Sequence, residues 1–234
     1  MRSASRWTAV AGVLGLMLLA GVLFGFWPGL DRWISARFFD GAGFPAEKSA
    51  LSQGLRLLVW DLSIAMALLA MVMAMLGLVG RGFWSIPARV WAFISAVYLL
   101  GPALLVNGIL KAHWGRARPD TTVDFGGTRD FTPFWQPGTQ CLRNCSFTSG
   151  EAASAAALAI ALFALMPHLT RGWTRAGRIG YRLVAVLLPL TGALQRLLAG
   201  RHYASDVVFS VLFVALIALL LRAFSGRPVP PGPR

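Results

Sequence analysis

The sequence predicts an all-α, polytopic membrane helix bundle with six transmembrane helices, and three observations carry that prediction. Of 234 residues, 56% are hydrophobic and only 13% are charged, about half the charge a water-facing surface carries. The apolar residues gather into long runs. About 20 helical residues cross ~30 Å of hydrocarbon, and six runs approach or reach that length. Short, arginine-bearing connections separate them, as they do between membrane spans.

The first span is read over Trp7–Trp27, behind Arg2 and Arg6. Basic residues before an apolar run resemble a signal peptide. This run is too long for one and ends in Gly-Phe-Trp-Pro-Gly rather than a small-residue cleavage site, so a retained anchor with a cytoplasmic N-terminus is expected. The further spans are Leu57–Val79, Val90–Leu110, Ala152–Met166, Leu183–Leu198 and Val207–Phe224. The fourth and fifth are the shortest, and each reads as a tilted span or a buried helix. One domain over residues 1–226 results, followed by a flexible Pro-rich tail at 227–234.

Cytoplasmic segments are then the N-terminus, the Arg81–Arg89 turn, the Arg171–Arg182 loop and the tail after Arg222. The opposite side holds Asp31–Arg56, Lys111–Ser149 and the Arg196–Asp206 turn. That side carries basic residues too, against the positive-inside bias, so something other than topology requires them there. The formal net charge of +13 raises nucleic-acid binding. No basic run or recognition motif accompanies it, which excludes that class. Topology, anionic lipid head groups and an anionic substrate remain as roles for the arginines.

Between Asp120 and Phe147 the chain is rich in Gly, Thr, Pro and aromatic residues. Regular structure is not expected there, and a loop of this length is functional or disordered. Its aromatic residues favour order, with Phe134 and Trp135 expected at the membrane interface. Cys141 and Cys145 lie on this segment. They read as a disulfide closing a small loop or as a metal pair. No further His or Cys flanks them to complete a metal site.

Three clusters carry the chemistry. Lys111-Ala-His-Trp-Gly-Arg-Ala-Arg118-Pro119 closes the third span. A continuing helix would turn Lys111 and Arg118 the same way, with Pro119 at its end. Alone, these are also ordinary snorkelling cations. Asn144-Cys-Ser-Phe-Thr-Ser149-Gly150-Glu151 enters the fourth span, where a Ser N-cap is commonplace and a helix N-terminus with Gly makes an anion site. Gln195-Arg196 to Asp206 joins the last two spans and sets His202 four residues before Asp206. A carboxylate so placed can take the Nδ1 proton and leave Nε2 as a nucleophile, or simply form a capping pair. Cations, a helix N-terminus and a His–Asp pair at one bundle end describe a phosphoryl-transfer site.

In order and internal spacing these clusters resemble the signature of the type 2 phosphatidic acid phosphatase superfamily, which reads Lys, six residues, Arg-Pro; Pro-Ser-Gly-His; and Ser-Arg, five residues, His, three residues, Asp. The resemblance covers the chain from the third span to the sixth. It implies a lipid phosphatase in which His202 attacks phosphorus and Asp206 orients it. Lys111, Arg118, Ser149, Gly150 and Arg196 would then hold the phosphoryl oxygens. No metal and no cofactor are needed in that scheme. The partners it implies are a phosphorylated lipid and the surrounding membrane lipids, and nothing names a protein partner.

The departures are Thr148 for Pro, Gln195 for Ser and Glu151 for the His that protonates the leaving oxygen. Glu151 acts as that acid if burial raises its pKa, and neighbouring cations oppose this. His113 is the alternative acid. The Asn144–Glu151 string is similar to a bacterial branch that includes lipid A phosphatases. Lipid A-type phosphate is therefore the first expected substrate, before polyprenyl pyrophosphate and phosphatidic acid. The implied location is the bacterial inner membrane with the site on the periplasmic face. The other readings are a catalytically impaired lipid-phosphate-binding protein and a transporter.

Overall fold

A computed structural model describes residues 2–80 and 86–225 of the chain. The tail expected at 227–234 lies outside the described residues. Besides two single-turn 3-10 helices, Pro119–Thr121 and Val123–Phe125, eight helices are described: α1 (Arg2–Phe26), α2 (Gly29–Ala36), α3 (Pro45–Lys48), α4 (Ala50–Leu78), α5 (Ala88–His113), α6 (Gly150–Leu169), α7 (Arg175–Leu198) and α8 (Ala204–Phe224). Six of them, α1 and α4 to α8, are long and apolar enough to cross a membrane. Among the described residues the β pairing is a single bridge, Thr122 with Arg129.

The two spans that looked short are complete helices. The fourth was underestimated because its first turn holds Gly150 and Glu151, and the fifth because Arg175, Arg178 and Arg182 ride on its opening turns. Helix α6 packs against α4, α5, α7 and α8. It presents buried Ala152, Ala153, Ala155, Ala157 and Ala161 to them. Small residues let helix axes approach closely where no hydrophobic driving force separates protein from lipid. Ser63 of α4 adds a polar tie, donating to the Ser154 carbonyl at 2.9 Å and meeting the Tyr98 hydroxyl at 3.1 Å. Leu14, Leu18, Leu68 and Leu187 point outward, as hydrocarbon solvent permits.

The helices alternate direction, so one end of the bundle gathers the connections 27–49, 114–149 and 199–203. Within α5, Leu99–Leu110 is π-helical around Pro102, whose carbonyl accepts from the Asn107 side chain at 2.7 Å. A π segment at a proline commonly marks a functional region. The helix ends at His113, earlier than Pro119. Gly115 then takes φ +69, and a Cβ there would strike the Gly138 carbonyl. Lys111 and Arg118 therefore reach the same place through a turn and not along one helix face.

The 114–149 segment is irregular but ordered by its aromatic rings. Phe134 stacks on Phe209 of α8 at 4.7 Å, and Phe131 meets Tyr203 edge-on at 5.2 Å. Phe134 is thus a packing residue, while Trp135 is exposed.

Candidate active site

Where the three clusters meet, a cavity of about 270 Å³ opens at the connection-rich end. Lys111, Arg118, Gly150, Glu151, Arg196 and His202 all line it. Arg56 and Arg201 add two cations that the sequence reading did not assign to the site, and Trp60, Asn107 and Asn144 complete the wall. Arg56 sits far away in sequence, on α4, and lies outside every motif. Only helix packing reveals it.

His202 is 2% exposed. Its Nδ1 lies 2.8 Å from the Ser146 carbonyl oxygen, whereas the nearest Asp206 oxygen is 3.8 Å away. A carbonyl can only accept, so Nδ1 carries the proton and Nε2 keeps the lone pair. Nε2 is the ring nitrogen left for the cavity. Burial pushes the imidazole pKa down to about 4, with Lys111 and Arg118 reinforcing the shift and Asp206 opposing it. The ring is therefore neutral at ordinary pH.

Asp206 is linked to the histidine by a longer route than the i, i+4 spacing implied. Its carboxylate accepts from the Ser146 hydroxyl at 2.5 Å, the Tyr203 amide at 2.9 Å and Arg116 at 2.6 Å. Ser146 thus joins the pair, its hydroxyl on Asp206 and its carbonyl on His202. As the third residue of α8, Asp206 also caps that helix.

Arg116 was not singled out from the sequence, where it sits between Lys111 and Arg118 as one more boundary cation. It is completely buried. It donates to Asp206, to Asp31 at 2.8 Å, to the Ser205 hydroxyl at 2.9 Å and to the Thr132 carbonyl at 2.8 Å. Its guanidinium lies over the Tyr203 ring at 4.3 Å. Asp31 in turn accepts from the amide and hydroxyl of Ser205.

Ser149 behaves as a helix cap. Its hydroxyl accepts from the Ala152 amide at 3.3 Å, and it does not line the cavity, which Gly150 does. A side chain at Gly150 would crowd the Asn107 amide, 2.6 Å from the ideal Cβ. The α6 N-terminus therefore faces the cavity with a bare backbone, the arrangement that suits an anion. Among the described residues Arg196 and Arg201 each keep a buried Nε without a hydrogen bond, that of Arg196 standing 3.6 Å from a Glu151 carboxylate oxygen.

Glu151 is gripped by Arg56 through two bonds of 2.9 Å, and Arg196 approaches it at 3.6 Å. A bidentate guanidinium needs both carboxylate oxygens as acceptors. That geometry supports an ionised anchor rather than the protonated acid considered from the sequence. His113 is exposed at the end of α5, away from the cavity.

The sulfurs of Cys141 and Cys145 are bonded, with Cα atoms 5.6 Å apart. Within the closed loop Asn144 adopts φ +53, a left-handed conformation that Asn tolerates. Its carbonyl accepts from Arg118 at 2.9 Å. The loop thus supports Arg118 directly and leads straight into Ser146.

Comparison with known proteins agrees with this geometry. Residues 89–229 match the family model described as the PAP2 superfamily. The lipid A 4'-phosphatase of Rhizobium leguminosarum is 34% identical, over 84% of this chain and 90% of that protein. That of Francisella tularensis subsp. novicida is 36% identical over 58% of each. A crystal structure of a transmembrane PAP2 type phosphatidylglycerolphosphate phosphatase from Bacillus subtilis shares the fold, with TM-score 0.55, 16% identity and coverage of 95% of this chain and 98% of that one.

Two outcomes are expected. Replacing both Cys141 and Cys145 by Ser should leave helical circular dichroism intact and lower turnover about tenfold, the value of a hydrogen bond to a charged group; unchanged turnover would remove the loop from the support of Arg118. Because the His202 imidazole takes up a proton only as pH falls through about 4, the acid limb of kcat/KM, corrected for substrate ionisation, should lie near that value if the reaction uses the neutral ring. A limb near 6.5, the usual histidine position, would show that His202 is not held neutral by its surroundings.

Proposed function

The chain belongs to the PAP2 superfamily and is a membrane lipid phosphatase, and we propose that it removes a phosphate monoester from a lipid A-type glycolipid through a phosphohistidine on His202. The observation that carries this reading is the position of His202, with Nδ1 held by Ser146 and five cationic side chains around the cavity it lines.

In this mechanism Nε2 attacks phosphorus, the P–N bond forms and the P–O bond to the lipid breaks, the leaving oxygen taking a proton from water. The hydroxide so formed, or a second water, then attacks the phosphohistidine, the P–N bond breaks back to the neutral imidazole and inorganic phosphate leaves. Lys111, Arg118, Arg196 and Arg201, with the Gly150 amide, hold the phosphoryl oxygens as charge shifts among them. Asp206, through Ser146, keeps the ring in its reactive tautomer and compensates the cationic imidazole of the intermediate. Glu151 holds Arg56 and Arg196 in place, and no general-acid role is assigned to it.

The substrate class rests on the lipid A 4'-phosphatases to which the chain is similar across most of its length. The proposed setting is the bacterial inner membrane, with the catalytic end in the periplasm and the arginine-rich end in the cytoplasm. The positive-inside bias supports that orientation.

The test is phosphate release by detergent-solubilised protein with EDTA present, using lipid A, polyprenyl pyrophosphate and phosphatidic acid. Lipid A should be preferred, release should survive EDTA, and His202→Ala should lose on the order of 10³-fold or more in turnover. An acid-labile, alkali-stable phosphoenzyme should form with wild type and not with the variant. Release that persists in His202→Ala would end the phosphohistidine mechanism, and failure of folded wild type on every lipid would favour a binding role. Glu151→Gln should slow substrates with good and poor leaving groups by similar factors, since it disturbs cation placement. A selective loss on poor leaving groups would instead restore Glu151 as the acid.

A further inference from the structure

A second cavity, of about 730 Å³, lies at the opposite end of the bundle from His202. Arg6 of α1, Arg89 of α5 and Arg222 of α8 frame it, and Ser5 and Ser225 add hydroxyl groups. Its inner wall is apolar, with Val90, Phe93, Ala164 and Leu219. Arg222 stands over the Phe93 ring at 4.8 Å, and its carbonyl accepts from Arg6 at 3.1 Å. Three guanidinium groups are thus brought to one concavity without a carboxylate among its lining residues.

The charge distribution of the chain makes this concavity unusual. Among the described residues, segments 2–9, 86–89, 170–182 and 222–225 lie at this end, and together they hold eight arginines and no Asp or Glu. All nine acidic residues of the chain lie in the catalytic-end connections or in the helix halves nearest them. Among the described residues the charge is therefore +8 at this end, eight arginines with no acid, against +2 at the other, eleven Lys and Arg less nine Asp and Glu. No side-chain carboxylate from these segments can neutralise Arg6, Arg89 and Arg222. The compensating anion must come from elsewhere.

We propose that this cavity is a binding site for the phosphate of an anionic phospholipid, separate from the catalytic site. The arginines would take the phosphate oxygens, Arg being suited to forked contacts with phosphate. The apolar wall of Phe93, Val90 and Leu219 would take the glycerol and the first methylenes. A membrane surface supplies such a ligand at this depth, and each basic residue near an anionic leaflet contributes about 1 kcal/mol. The combination of cationic rim and apolar wall selects an amphiphile over a free anion.

The test uses delipidated full-length protein in neutral detergent, titrated with short-chain phosphatidylglycerol, phosphatidylcholine or inorganic phosphate. Binding is read by native mass spectrometry and by the shift in Tm. Phosphatidylglycerol should bind and stabilise wild type, and phosphatidylcholine should do so much more weakly. Arg89→Gln with Arg222→Gln should weaken phosphatidylglycerol binding roughly 25-fold, about fivefold per arginine, while phosphatase activity stays unchanged and reports an intact fold. Arg178→Gln with Arg182→Gln, in the same basic end but outside the cavity, should bind as wild type does. Equal weakening in both double variants would show diffuse surface charge and overturn the site. Undiminished binding in the cavity variant would place the lipid elsewhere and overturn it too. Stabilisation by inorganic phosphate that equals that of phosphatidylglycerol and is lost in the Arg89→Gln, Arg222→Gln variant would overturn the lipid assignment and leave a free-phosphate site. Should the double variant not fold, Arg89→Gln alone, at an exposed position whose side chain has no hydrogen bond among the described residues, should show the fivefold loss.

Discussion

A guanidinium buried from all solvent, shared between two buried carboxylates, organises the catalytic end of this protein. Arg116 reaches Asp206 at the start of α8 and Asp31 on α2, and takes the Thr132 carbonyl of the long connection. Three parts of the chain, a short helix, the start of α8 and the long connection, are joined at one residue. Removing charges from water is costly, and such a group is tolerated only when its donors are met. Here they are met by two carboxylates, a hydroxyl and a carbonyl. Taking away one partner would leave uncompensated buried charge, at about 3–5 kcal/mol.

The catalytic geometry follows from that centre. Held by Arg116, Asp206 has one oxygen for the Ser146 hydroxyl and the Tyr203 amide. Ser146 is also fixed through its amide, which donates to the Arg116 carbonyl at 2.9 Å. Its own carbonyl then sets the tautomer of His202. Around the histidine, the cations are spaced by separate anchors: Arg118 by Asn144, Arg201 by Asp120 at 2.6 Å, and Arg56 by Glu151. Like charges brought to one cavity repel, and these fixed partners keep them apart and aimed until an anion arrives.

Much of this was legible before any coordinates. Lys111, Arg118, Gly150, Glu151, Arg196 and His202 do line one cavity, because motif spacing at helix ends survives folding. Arg56, Asp31 and Arg116 were not legible as parts of this site. Their partners lie 95, 174 and 90 residues away at Glu151, Ser205 and Asp206, and no local pattern distinguishes them from ordinary boundary charges. The i, i+4 spacing of His202 and Asp206 placed them close but misjudged the link. Tyr203 is the N-cap of α8, so His202 stands just outside the helix rather than on its face.

What the sequence determined by itself is whatever depends on composition and short-range order. Runs of apolar residues must cross a membrane as helices, since hydrocarbon offers no partner to an open backbone. Motifs at the ends of those helices name the type of chemistry. Tertiary structure alone decided the state of each group. Whether Glu151 is an acid or an anchor, and whether the imidazole turns to a carboxylate or a carbonyl, depends on neighbours brought in by helix packing. Electrostatic and hydrogen-bond energies act over a few ångströms of space, and that distance is not written in the order of residues.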